Sequence, residues 1–146
     1  MINYVKYIGI FLIIAALQTA AVAQKAKPLD EVKTALSKIF DLSKNNKYKD
    51  AAGYFAYTGD DKERYLASTL NYKVREEKSL VRRNCKKIKA YIELSDSYEY
   101  GKFETKKIDG INHYILQVIF KSGSQNLNIS FDFVKINNKF VLASFG

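Results

Sequence analysis

At 146 residues the chain has room for one domain, and its 24 Lys and Arg against 15 Asp and Glu give a formal charge of +9. Its apolar content excludes a disordered chain, and a single Cys excludes an intramolecular disulfide. The basic balance favours solubility and weak attraction to anionic surfaces, and it says nothing about the fold.

The first element is a leader. Lys6 lies in a short head, Ile8 to Leu17 is an apolar run, and Ala20-Ala21-Val22-Ala23-Gln24 is a small-residue exit. This order predicts a secretory signal peptide over residues 1–23, cleaved between Ala23 and Gln24. The run falls well short of the roughly twenty residues a membrane-spanning helix needs, so no stable membrane anchor is expected after cleavage. The expected location is therefore outside the cytoplasm, in the periplasm or beyond. Residues 24–28 read as a short basic linker and residues 29–146 as the single domain.

Pro28 opens a predicted helix with Asp30 and Glu31 in its first turn, where the helix dipole favours acids. Leu29, Val32, Leu36, Ile39 and Phe40 share one face, Lys33, Ser37, Asp41 and Lys44 the other, and Asn45-Asn46 ends it. Tyr48 to Phe55 predicts a short second helix weakened by Gly53, and Tyr57-Thr58-Gly59-Asp60 a turn. Asp61 to Tyr72 fits either a helix or an irregular crossing loop. Val74 to Ile92 is the clearest helix, with Val74, Val81, Cys85, Ile88 and Ile92 on one narrow face and basic residues over most of the rest.

From Tyr98 the period changes to two. Strands are predicted from Tyr98 to Ile108, Ile111 to Lys121, Gln125 to Ile136 and Lys139 to Phe145, turned at Asp109-Gly110, Ser122-Gly123 and Asn137-Asn138. Helices first and hairpin-linked strands after give an α+β domain, N-terminal helices packed on a four-stranded antiparallel meander. Tyr114, Leu116, Val118 and Phe120 of the second strand, with Leu127, Ile129, Phe131 and Phe133 of the third, form the more apolar face and should meet the helices. His113 and Asp132 then lie on the opposite face as exposed polar residues. Ile115, Ile119, Val134 and Ile136 leave that second face more apolar than a solvated one should be.

Two stretches, NNKYKDAAGYF (Asn45 to Phe55) and SFDFVKINNKFVL (Ser130 to Leu142), carry a family likeness. With the order of elements around them, residues 29–146 resemble the nuclear transport factor 2-like, or cystatin-like, superfamily, in particular its secreted bacterial members. The resemblance implies a curved sheet and helices enclosing a cone-shaped cavity. It also implies either ligand or partner binding without catalysis, or isomerase or dehydratase chemistry by an inward Asp, His or Tyr. Asn138 stands where the family commonly has Gly and Phe140 where it commonly has Trp.

Candidate groups are few. His113 is the only histidine, no set of Cys, His and acidic residues has metal-ligand spacing, and neither a nucleophile elbow nor a phosphate-binding loop is present. Cys85, on an apolar helix face, reads as a small buried hydrophobe. No catalytic residue, metal or cofactor is assigned. Tyr54, Tyr57, Tyr65 and Tyr72 are the candidate ligand-binding residues, because they fall in the segment that borders the cavity mouth in the resembled fold. Arg75, Lys78, Arg82, Lys86 and Lys89 are the candidates for binding an anionic surface, and without interleaved aromatics they do not suggest nucleic acid. The leading expectation is an exported, non-catalytic domain that binds a small molecule or a protein. The alternatives are an isomerase- or dehydratase-like enzyme and an envelope interaction protein that forms a homodimer through the sheet.

Overall fold

The computed structural model describes residues 27–146, so the leader and the Ala23–Gln24 cleavage point lie outside the described residues. Residues 27–44 form α1, so residues 27 and 28, assigned to the linker from sequence, are already helical. The helix stops at Asn46, which takes φ 55°. Lys47 N–H donates to the Leu42 carbonyl at 2.9 Å and Asn46 N–H to that of Ser43 at 3.2 Å, the pair of bonds that closes a helix around a left-handed residue. Tyr48–Ala51 is a single turn, α2, continued as a 3-10 turn over Ala52–Tyr54, and α3 spans Arg75–Glu93.

Four antiparallel strands follow in the order β1-β2-β3-β4: Ser97–Ile108, Ile111–Ser122, Gln125–Ile136 and Lys139–Phe145. The hairpin turns have the chemistry their sequences require. Asp109 and Gly110 both have positive φ, as do Asn137 and Asn138, the pattern that matches the twist of a two-residue hairpin. In the middle hairpin Gly123, at the first loop position, has φ 55°.

Two bulges adjust the strand phase. Gly101 and Lys102 together oppose Gln117, which keeps Tyr100 and Phe103 on one face despite their three-residue spacing. Ala143 is the extra residue in β4, placing Leu142 and Phe145 on one face in the same way. The α+β class and the antiparallel four-stranded sheet are as expected from the sequence.

The main core lies between helices and sheet. Val32, Leu36, Ile39 and Phe40 of α1 and Val81, Cys85 and Ile88 of α3 meet Leu116, Val118, Phe120, Ile129, Phe131 and Phe133. This is the sheet face chosen by the alternation. Leu127 departs from it, remaining 47% exposed at the far end of its strand.

The second face departs further. Phe55 and Ala56 lie beside β4, with a parallel bridge to Leu142, and Ala56 pairs back with Thr69. Residues between them lap over the edge, and Leu66 packs with Ala56, Val134, Ile136, Val141 and Ile111 in a second cluster. Val134 and Ile136, expected on an open surface, are therefore buried, at 0% and 8% exposure. His113, expected to be exposed, is buried as well. For Val134 and Ile136 the physical reason is one that alternation does not encode: the 56–70 segment crosses the β4 edge and supplies a partial lid through Leu66.

Candidate functional site

The space under the helices is filled. Phe55, Phe120, Phe131, Phe133, Leu36, Ile39 and Ile88 are the largest of its fully buried side chains. Phe131 stacks on Phe145 with centroids 5.5 Å apart and meets Phe40 edge-on at 5.7 Å. With the interior packed in this way, the grooves beside α1 and α3 lie at the edges of the sheet.

Tyr54 lines one such groove, about 530 Å³, between α1 and the β3–β4 hairpin. Its floor is aromatic and aliphatic, from Tyr54, Phe140 and Ala35, and its rim carries Asp30, Glu31, Lys38 and Lys139. Lys139 Nζ sits 3.5 Å from the centre of the Tyr54 ring and donates to the Gly53 carbonyl at 3.1 Å. Removal from water lowers the pKa of this ammonium group. On the rim Lys135 lies 3.7 Å from Glu31 and covers the Phe140 ring at 4.7 Å.

Tyr57 lines a different groove, with Leu70, Val74 and Glu77. The Arg64 guanidinium lies 4.0 Å above its ring, and the Tyr57 hydroxyl accepts from the Asp61 N–H at 3.4 Å. Tyr65 is exposed, and Tyr72 packs against the core with Lys78 Nζ 5.4 Å from its ring. Tyr54 and Tyr57 thus serve separate grooves, and a cation rather than a common cavity meets the ring of Tyr54, Tyr57 and Tyr72.

Arg64 makes the most elaborate polar node. Its two terminal nitrogens donate to the two Glu77 carboxylate oxygens at 2.8 and 3.0 Å, and its Nε donates to Ser68 Oγ at 3.3 Å. Glu77 also accepts the Asn71 N–H just ahead of α3. The hydrogen bonds from Arg64, with that of Asn71, hold the Glu77 carboxyl below its ordinary pKa against the opposing effect of burial. The node ties the 56–70 segment to the first turn of α3. Sequence reasoning missed it because Arg64 and Glu77 are thirteen residues apart across a segment of undecided structure.

On α3 the predicted basic residues Arg75, Lys78, Arg82 and Lys86 are exposed and Lys89 is partly buried. Arg82 lies 5.6 Å from the Tyr48 ring, while Lys89 reaches Glu93 at 3.6 Å and the Asn46 side chain at 3.3 Å. Cys85 is fully buried, and desolvation raises its thiol pKa, the opposite of an activated nucleophile.

His113 and Asp132 lie together on the second sheet face, away from the helices. The Nδ1 atom of His113 is 3.0 and 2.8 Å from the two carboxylate oxygens of Asp132. Because an ionised carboxylate only accepts, Nδ1 carries the hydrogen of this bond. Among the described residues the imidazole is hydrogen-bonded to Asp132, and no Ser, Cys or Thr hydroxyl or thiol is hydrogen-bonded to it. No group of three or more His, Cys, Asp or Glu among the described residues is arranged to hold a metal, and none of the described helices is long and apolar enough to cross a membrane.

Comparison with protein families, with curated proteins and with solved structures finds no match.

Proposed function

We propose that this protein is an exported, non-catalytic binding domain whose ligand site is the groove between α1 and the β3–β4 hairpin. The observation that carries the reading is the pairing of an apolar floor with a cation fixed against it: Tyr54 and Phe140 beside Lys139, whose Nζ is held on the Tyr54 ring and the Gly53 carbonyl, in a groove of about 530 Å³. That volume lies within the usual few-hundred to ~1,000 Å³ range of small-molecule sites, which combine apolar walls with a few fixed polar groups. The ligand class that fits is a small molecule with an apolar, planar body for the ring floor and an anionic or hydrogen-bond-accepting end for Lys139. Export rests on the leader sequence.

The nuclear transport factor 2-like likeness fits the order of helices and bulged meander. On that reading this chain is a variant in which aromatic side chains fill the cone and binding moves to its rim.

Amide-resolved NMR titration with a library of aromatic carboxylates tests the site. Shifts should concentrate at Tyr54, Asn138, Lys139 and Phe140, and Tyr54→Ala should weaken binding by about tenfold. Ligands that map elsewhere, or binding indifferent to Tyr54→Ala, would sink it. Turnover of isomerase or dehydratase substrates that is abolished by Asp132→Asn would instead establish the enzymatic alternative. Export is checked by the N-terminal mass of the mature protein, expected to begin at Gln24.

A further inference from the structure

The far end of β4 presents a second groove with a different character. Ala56 N–H donates to the Leu142 carbonyl at 2.8 Å, and there the accompanying segment leaves the sheet, since Tyr57 N–H goes to the Ser68 carbonyl instead. Beyond Leu142 no described strand pairs with the outer edge of β4. Gly146 and Ser130 exchange both of their backbone hydrogen bonds, at 3.2 and 3.0 Å. In an antiparallel ladder such pairs alternate with pairs whose polar groups point outward, so Phe145 turns its N–H and C=O away from β3 toward the open edge.

The α3 helix forms the other wall, and the space between is about 410 Å³, floored by Phe55, Leu142 and Phe145. Arg83 and Lys87 overlook it and no acidic side chain lines it. Neither cation has a carboxylate partner among the described residues; Lys87 rests over the Phe145 ring at 5.1 Å. A strand edge without a partner among the described residues, an apolar floor and two cations without a carboxylate partner there form one composite surface.

We infer that this groove docks an extended, acidic peptide segment of a partner protein, which adds to the Ala143–Phe145 edge as a short strand. Main-chain bonds to Phe145 supply the alignment, and Arg83 and Lys87 select carboxylates on the incoming chain. Three residues of strand span roughly 10 Å, so the groove reads about three residues of the partner. The inference is independent of the small-molecule groove, because the Phe55–Ala56 crossing at Leu142 separates the two.

The test uses the full chain and a fluorescent hexapeptide of alternating Glu and Val, beside a Lys–Val counterpart and an N-methylated copy of the acidic peptide. The acidic peptide should bind with an affinity that falls as salt is added, the other two should bind at least about tenfold more weakly, and Arg83→Glu should weaken binding to a similar degree. Arg83 is exposed, and circular dichroism of the variant checks that it folds. Hydrogen exchange gives the decisive readout: the Phe145 amide should gain protection on binding. Absence of binding, equal binding of the Lys–Val peptide, retention by Arg83→Glu, or binding without protection of Phe145 would each overturn the inference.

Discussion

The two faces of the sheet are covered by different means. On the helix side, burial comes from long, regular elements, and the aromatic rings of Phe40, Phe120, Phe131 and Phe145 interlock beneath them. On the other side a loop does the covering. Leu66 reaches Val134, Ile136 and Val141 from a segment without helix or strand, and it adopts φ 53° to do so. A non-glycine residue in that left-handed region costs about 1–2 kcal/mol. The Arg64–Glu77 clamp and the strand-like bonds of residues 55–57 with 68–70 hold the segment in place against that cost. One face therefore depends on the amount of apolar area, the other on whether a few polar bonds keep the lid on.

The largest expected effect is on the first face. Phe131→Ala empties a fully buried ring site and should destabilise the protein by about 3–5 kcal/mol in urea denaturation. Val134→Ala, at 0% exposure on the second face, should cost about 2 kcal/mol, far more than a surface Val would. A loss of a few tenths of a kcal/mol at Val134 would mean that the 56–70 segment does not cover the face in solution, and the contrast between a helix-covered and a loop-covered side would break.

A middle-sized effect falls on the clamp. Glu77→Gln weakens a part-buried, charge-assisted bidentate contact whose Arg64 side is a third exposed, and should cost about 1–2 kcal/mol. The pH dependence follows from the direction of its shift. The folded-state pKa lies below the ordinary 4.5, so the native protein takes up this proton less readily than the unfolded chain. The stability Glu77 contributes is therefore present above pH 4.5 and is lost as the pH falls through the folded-state value. Denaturation of the wild type and Glu77→Gln across that acid range should give curves that converge. Parallel curves would assign the loss to other carboxylates and show that the lid does not depend on this pair.

The contrast between the faces also marks what could be read beforehand. Strand ends, hairpin turns and the helix-facing residues were legible because period-two alternation and turn residues such as Asp109-Gly110 act over a few positions. The first strand is legible from Tyr98 to Ile108, while the bulge at Gly101 and Lys102 that keeps Tyr100 and Phe103 on one face depends on the partner strand. The second face was misread in one consistent way. Alternation shows that His113 and Val134 point away from the helices, and the covering segment is set by long-range pairing of Ala56 with Leu142 and of Arg64 with Glu77. The candidate tyrosines were legible as residues with an apolar body and a polar tip, and their division between grooves was not. That division follows from Phe55 and Ala56 joining the sheet edge between Tyr54 and Tyr57.

The smallest effect separates the polar pair on the second face from a phenol on the first. Asp132→Asn keeps an acceptor for His113 Nδ1 and loses only charge assistance, so it should cost about 1 kcal/mol. At the rim of the helix side, desolvation, with Tyr98 beside it, pushes the Tyr100 phenol up to about 12 from its ordinary 10.0. A pKa raised in the folded state means that the unfolded chain releases its proton first. The stability tied to Tyr100 is then intact below pH 10.0 and declines as the pH rises toward about 12. Tyr100→Phe should remove that alkaline decline while leaving stability at neutral pH nearly unchanged, and Asp132→Asn should do neither. Ultraviolet phenolate titration should show a component ionising at about 12 in the wild type that is lost in Tyr100→Phe. A Tyr100 that ionises at its ordinary 10.0 would mean that the helices and sheet part at this edge, and the packed face would then be open where Lys33 now lies 5.2 Å from the ring.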